Sequence, residues 1–228
     1  MTIVSNIASY IDHTILKQDC KLSDLQRVCE EARQYGFAAV CIPPYFVGEA
    51  KEMLSDSEVR VATVIGFPFG YSAVEGKISE IVLAMDEGAE ELDMVINLIA
   101  LKNSDWHFLH HEIGEILPMV HRRQKKIKII IESGLLTDSE IIQCCKLYGS
   151  AGVDFLKTST GYAEKGASLE AVRLMRANLP DSIRIKASGG IRTYAFAKEL
   201  IEAGASRIGC SASVSIVMGT HVSEKTSY

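Results

Sequence analysis

Val153-Asp154-Phe155-Leu156-Lys157-Thr158-Ser159-Thr160-Gly161-Tyr162 begins as a short apolar strand and runs into a lysine, three hydroxyls and a glycine. A lysine at the end of a buried strand is not ordinary surface charge, because lysine is rarely buried without a partner or a task. Burial lowers the pKa of an ammonium and makes the neutral amine, a nucleophile for carbonyls, accessible. The alternative is a structural lysine paired with a buried carboxylate such as Asp154, since perturbed groups occur in ion pairs as well as in active sites.

The same grammar extends outward in both directions. Towards the N-terminus, apolar runs at Phe37 to Ile42, Val59 to Ile65, Glu91 to Ile96 and Ile127 to Ile131 read as strands. Helical spacing separates them over Leu22 to Tyr35, Phe46 to Leu54, Ala73 to Glu87 and Ser104 to His121, the last carrying Pro118, which should kink it. Thr137-Asp138-Ser139-Glu140 has capping-box spacing and opens a further helix. Towards the C-terminus come a helix over Ser168 to Asn178, a strand Ile183 to Ala187, a helix over Thr193 to Ala203 and a strand Arg207 to Cys210. With a brief strand at Tyr10 to Thr14 the count is eight, behind a short N-terminal helix within residues 1–9.

Strands that are apolar throughout and alternate with helices imply parallel pairing with both faces covered. Eight such units in 228 residues predict a single-domain (β/α)8 barrel spanning 1–228. A doubly wound open sheet is the alternative. The barrel is favoured because polar residues recur near the strand ends where barrel enzymes place their chemistry: Asp12, Cys41, Asp93, Asn97, Glu132, Lys157, Lys186 and Ser211.

Two constellations stand out. Lys157 and Lys186 close neighbouring strands about 4.8 Å apart, so the two amines would repel and one would favour its neutral form. Asp93, on the fourth strand, is placed to move protons to and from a bound molecule. Against this stands a buried Lys-Asp-Lys network without chemistry, whose net positive charge would be costly to bury. The second constellation is Ser188-Gly189-Gly190-Ile191-Arg192 after strand seven with Gly209-Cys210-Ser211 after strand eight. Loops there frequently build phosphate sites, and glycines let backbone N–H groups approach an anion. Two tight turns are the competing reading.

Composition narrows the rest. The chain is 47% hydrophobic and 23% charged with only 5 prolines, enough for a sizeable core. A net charge of −5 argues against nucleic acid as a partner. No apolar run has the length of a membrane span and residues 1–10 lack a signal-peptide layout, so a cytoplasmic protein is expected. Six cysteines without Cys-x-x-Cys spacing read as reduced core thiols. His107, His110 and His111 share a helix, but no His-Glu-x-x-His motif accompanies them, and neither metal nor nucleotide cofactor is expected.

Taken in order, Ile11-Asp12-His13-Thr14-Ile15-Leu16-Lys17, Val40-Cys41-Ile42-Pro43, Val64-Ile65-Gly66-Phe67-Pro68, Leu92-Asp93-Met94-Val95-Ile96-Asn97, Lys157-Thr158-Ser159-Thr160-Gly161 and Lys186-Ala187-Ser188-Gly189-Gly190-Ile191-Arg192 resemble the motifs of the deoxyribose-phosphate aldolases. The resemblance implies that Lys157 forms the Schiff base and that Asp93 and Lys186 relay protons. It also implies substrate or phosphate contacts at Gly189, Gly190, Gly209, Ser211, Thr158, Asp12 and Cys41. The expected partners are a phosphorylated sugar and acetaldehyde, without metal or cofactor, in a homodimer or higher oligomer. Ile131-Glu132-Ser133-Gly134 departs from the family's usual Glu-Thr, and Cys210 stands where Ala is common. Several members end in a tyrosine that reaches the active site, so the polar tail over 220–228, expected to be mobile, could bring Tyr228 there. A Schiff-base aldolase for a longer phosphorylated ketose, and a catalytically silent sugar-phosphate sensor, are the other readings.

Overall fold

The computed structural model describes residues 6–219. Eight parallel strands close into a barrel in sequence order, each hydrogen-bonded to its sequence neighbours and the last to the first. They are β1 (Ile11–Thr14), β2 (Ala39–Ile42), β3 (Arg60–Ile65), β4 (Glu91–Val95), β5 (Lys126–Ile130), β6 (Phe155–Lys157), β7 (Arg184–Ser188) and β8 (Arg207–Cys210). The helices outside are α1 (Leu22–Tyr35), α2 (Val47–Met53), α3 (Val74–Asp86), α4 (Leu98–Lys102), α5 (Trp106–Arg122), α6 (Asp138–Ala151), α7 (Leu169–Asn178), α8 (Tyr194–Glu202) and α9 (Ser213–Met218). This is the (β/α)8 barrel expected from the alternation of apolar strands and helices.

Local chemistry accounts for the boundaries. Thr137 and Glu140 form the expected capping box of α6, and Gly152 ends that helix in a left-handed turn. Ser168 and Thr193 cap α7 and α8 through their side chains. α5 continues through Pro118. Outward-facing strand residues such as Val40, Leu92, Ile129, Leu156 and Ile185 form one core with the helices and are fully buried.

Several details differ from the expectations. Of the expected N-terminal helix, residues 1–5 lie outside the described residues, and Ile7–Tyr10 forms a single 3-10 turn. β6 starts at Phe155 and includes Lys157 as its last residue. Gly209 and Cys210 lie inside β8 rather than after it. The short helices α4 and α9 carry too few turns for periodicity to reveal them. The 220–228 tail and Tyr228 lie outside the described residues. Among the described residues, no helix is long and apolar enough to cross a membrane.

Candidate active site

Parallel register brings the key side chains together. Lys157 pairs with Lys186 across β6 and β7, and Asp93 pairs with Lys128 across β4 and β5. Because inward positions recur every second residue, the interior also receives Asp12, Glu91 and Arg207, all buried. Lys157 Nζ and Lys186 Nζ both donate to Asp93 Oδ2, at 2.7 and 2.6 Å. Lys186 donates also to Asp12 Oδ2 at 2.5 Å, and Lys128 to Asp93 Oδ1 at 2.7 Å. Lys128 further meets Glu91 at 2.6 Å and Asp12 at 3.5 Å, and Arg207 meets both Asp12 and Glu91. The trio expected from sequence is therefore the upper part of a larger network.

Four buried cations, Lys128, Lys157, Lys186 and Arg207, face three buried carboxylates, Asp12, Glu91 and Asp93, and the exposed Arg60 also reaches Glu91 at 3.5 Å. The carboxylates are thus outnumbered. Lys157 is the least compensated of the three lysines, with a single carboxylate contact against two for Lys186 and three for Lys128. Burial lowers the pKa of Lys157, and the charge of Lys186 pushes the same way against Asp93. For Lys186 and Lys128, burial is outweighed by the carboxylates and the pKa rises. Burial alone would raise Asp93 and Asp12, but the surrounding cations hold both well below the usual carboxylate range. Of the three lysines, Lys157 is therefore the one that gives up its proton most easily. Asp154 is not its partner: that carboxylate accepts the Ile127 N–H at 3.0 Å and faces His121.

Loop geometry surrounds this centre. Gly189 and Gly190 both have positive φ, 90° and 74°. A Cβ on Gly189 would lie 2.9 Å from Gly166 Cα and 3.4 Å from Gly161 Cα, so three loops converge there backbone to backbone, whereas Gly190 is exposed with open space beside it. A Cβ on Gly209 would lie 2.3 Å from Ser188 Oγ and 2.9 Å from Lys186 Cε, so packing against β7 already requires that glycine. Ser211 is exposed and lines a cavity of about 570 Å³ together with Lys17, Lys21, Arg27 and Arg192. Thr158 is buried, and its hydroxyl donates to the Ser188 carbonyl at 3.2 Å, tying β6 to β7. Asp12 lies deeper, its carboxylate taken up by Lys186 and Arg207. Cys41 sits on an apolar wall with Leu16, Ala39, Ala62 and Val64, and burial raises its thiol pKa.

Sequence reading did not single out Lys128 and Arg207, although Lys126-Ile127-Lys128-Ile129 alternates as an inward-facing strand would. Ser159 and Ser188 belong to the sequence motifs without a role of their own there; among the described residues their buried hydroxyl oxygens Oγ have no hydrogen-bond partner. Glu132 stands in the sequence as a strand-end residue and a departure from the family motif. It takes a left-handed backbone at φ 52° and accepts both the N–H and the hydroxyl of Thr160, holding the loop after Lys157.

A closed parallel barrel with a partly compensated lysine held against a carboxylate near its strand ends has the parts that a class I aldolase needs. The chain belongs to the DeoC/LacD family aldolases, whose model matches residues 6–220. It is 49% identical over 213 residues to a deoxyribose-phosphate aldolase of Caldanaerobacter subterraneus subsp. tengcongensis, covering 93% of this chain and 92% of that one. It is also 49% identical to a deoxyribose-phosphate aldolase of Thermococcus gammatolerans, over 96% of this chain and 98% of the relative. The tetrameric deoxyribose phosphate aldolase of Aeropyrum pernix superposes with a TM-score of 0.87 at 30% identity, over 93% of this chain and 89% of that structure.

Proposed function

We propose that this chain cleaves 2-deoxy-D-ribose 5-phosphate reversibly to acetaldehyde and D-glyceraldehyde 3-phosphate through an imine on Lys157. The burial of Lys157 among more cations than carboxylates carries this reading, because both push its amine towards the neutral form. The relatives named above support the substrate.

Neutral Lys157 attacks the C1 aldehyde carbon of the open-chain sugar, and loss of water gives an iminium. A base removes the C3 hydroxyl proton, the C3 oxygen becomes a carbonyl, and the C2–C3 electron pair moves towards the iminium nitrogen. Asp93 and Lys186 accept and return protons, since both already touch the Lys157 amine or its carboxylate partner. Glyceraldehyde 3-phosphate leaves, C2 of the enamine is protonated, and water releases acetaldehyde and restores the amine. Gly189, Gly190 and Ser211 offer the phosphate backbone donors and a hydroxyl, while Gly209, Thr158 and Asp12 shape the strands beneath, and Cys41 borders the carbon chain. The enzyme acts as a single domain in the cytoplasm, as a homodimer or higher oligomer; no metal or other cofactor takes part.

Incubation with deoxyribose 5-phosphate should release acetaldehyde, and borohydride with acetaldehyde should inactivate the protein and add an ethyl group at Lys157. An adduct on Lys186 would reverse the two roles, and no adduct would remove the imine. Gly190→Asp should set a carboxylate beside the phosphate and raise KM at least about tenfold, a loss of roughly 1.4 kcal/mol. An unchanged KM would move the phosphate elsewhere.

A further inference from the structure

A second buried ion pair lies outside the barrel wall, away from every residue given a role above. Lys77 on α3 and Glu112 on α5 are both buried, with Nζ 2.6 Å from Glu112 Oε1. A pair so enclosed is poor at stabilising a fold, because desolvating both ions offsets much of their attraction. Its other contacts point to a use. Lys77 Nζ also donates to the Val95 carbonyl at 2.8 Å, and the Asn97 backbone N–H faces the Glu112 carboxylate. Val95 is the last residue of β4, two residues beyond Asp93, and Asn97 caps the helix that follows.

That carbonyl needs a partner because β3 stops one residue too early. Ile65 at its end pairs with Met94, and the chain then turns away at Gly66, where φ is positive. The ammonium of Lys77 takes the place a further strand residue would have filled. The same side chain supports the turn: a Cβ on Gly66 would lie 2.9 Å from Lys77 Cε, and one on Gly70 would lie 1.8 Å from the Ile96 carbonyl oxygen. The loop after β3 and the end of β4 are therefore pressed together over this ammonium.

We infer that Lys77 and Glu112 are positioning residues: the pair clamps the end of β4 from outside the barrel and so sets the place of Asp93 between Lys157 and Lys186. Asp93 accepts from both lysines on one oxygen, an arrangement that a small shift of β4 would unbalance. Its proximity is the main influence keeping the Lys157 amine protonated, opposed by burial. Loosening the clamp weakens that contact, and the Lys157 amine then loses its proton at lower pH.

The inference rests on Lys157 as the reactive amine, so the readout is one that needs no aldolase turnover. Wild type and variants are treated with an amine-directed reagent across pH, and the labelling midpoint of Lys157 is followed by peptide mapping, beside kcat and thermal midpoint. Lys77→Met should lower the Lys157 midpoint by about half a pH unit or more and reduce kcat by about tenfold. It should also lower the thermal midpoint by leaving Glu112 without its cation. The double variant Lys77→Met/Glu112→Leu removes the stranded charge and should recover thermal stability in part, yet keep the shifted midpoint and low kcat. A double variant that regains wild-type kcat and midpoint along with its stability would reduce the pair to a structural role and overturn the inference. So would a Lys77→Met protein whose Lys157 midpoint equals that of wild type. If Lys77→Met does not fold, the double variant decides alone. A wild-type midpoint at the ordinary lysine value would remove the neutral amine of the proposed mechanism, while the difference between wild type and variants would still judge the clamp.

Discussion

On the side of the barrel built by β4 to β8 and β1, the inward positions hold Asp12, Glu91, Asp93, Lys128, Lys157, Lys186 and Arg207, whereas on β2 and β3 they hold Ala39, Cys41, Ala62 and Val64. All are buried and all belong to the same alternation of strand faces. The charged side can exist because every one of its buried ions meets at least one of opposite sign. The apolar side matters because it offers no further carboxylate: another anion there would favour the charged form of Lys157. Small residues there also leave room beside the amine, whose charge and those of Lys186 and Asp93 reach the Cys41 thiol. A small-residue apolar wall and a shortage of carboxylates thus both favour proton loss from Lys157.

Removing the surplus cation is the largest test of that comparison. Lys157→Leu should abolish aldol cleavage and the borohydride adduct, since the nucleophile itself is gone. It leaves three buried cations against three buried carboxylates. Because the folded pKa of Lys157 lies below that of an unfolded lysine, the unfolded state binds the extra proton in between, and this costs stability at neutral pH that is recovered as pH rises towards the ordinary lysine value. The Leu variant should therefore melt at or above the wild-type temperature at pH 7 and show a flatter stability profile above it, measured by thermal denaturation from neutral to alkaline pH. A lower melting temperature would mean that Lys157 is an integral ion-pair partner rather than the surplus charge.

Lys186→Leu comes next. It removes a proton carrier, and kcat should fall by about 10²-fold. It also removes a cation from a site whose carboxylates remain, so the labelling midpoint of Lys157 should rise. Loss of activity with an unchanged midpoint would leave Lys186 its proton relay and assign the lowered pKa of Lys157 to burial alone, which is already the larger of the two causes.

How much of this was legible before coordinates follows from the same alternation. The largely apolar strands β2 to β5 and the helices between them predict the barrel, and lysines at the ends of two consecutive strands predict where its chemistry lies. Asp93, Lys157 and Lys186 do meet. The size of the network was not legible, because which alternate residues of a strand face inward depends on register with its neighbours. Lys128 reads as one polar residue in an apolar strand until its pairing with Asp93 is known, and Arg207 as a strand start until its pairing with Lys186 is known. Gly209 shows the converse: its glycine signalled an anion loop in sequence, while in three dimensions the approach of Ser188 and Lys186 is sufficient reason for it. Lys77 and Glu112 lie 35 positions apart on surface-type helices, and nothing in their spacing marks them as a pair.

The smallest test changes the apolar half instead. Cys41→Ser keeps size and adds a hydroxyl on a wall formed by Leu16, Ala39, Ala62 and Val64. A buried hydroxyl without a partner costs about 1–3 kcal/mol, so the variant should melt lower while kcat changes only a few-fold and the Lys157 midpoint stays in place. Cys41→Asp, at the same position, adds a charge as well as polarity. Its carboxylate would add an anion beside the buried cations, and should raise the labelling midpoint of Lys157 and depress kcat at neutral pH, with activity returning as pH is raised. The two substitutions separate what the wall does by being apolar from what it does by being uncharged. If Ser and Asp slow the enzyme equally and neither moves the midpoint, then the wall acts only by its shape, and the shortage of carboxylates is not what keeps Lys157 neutral.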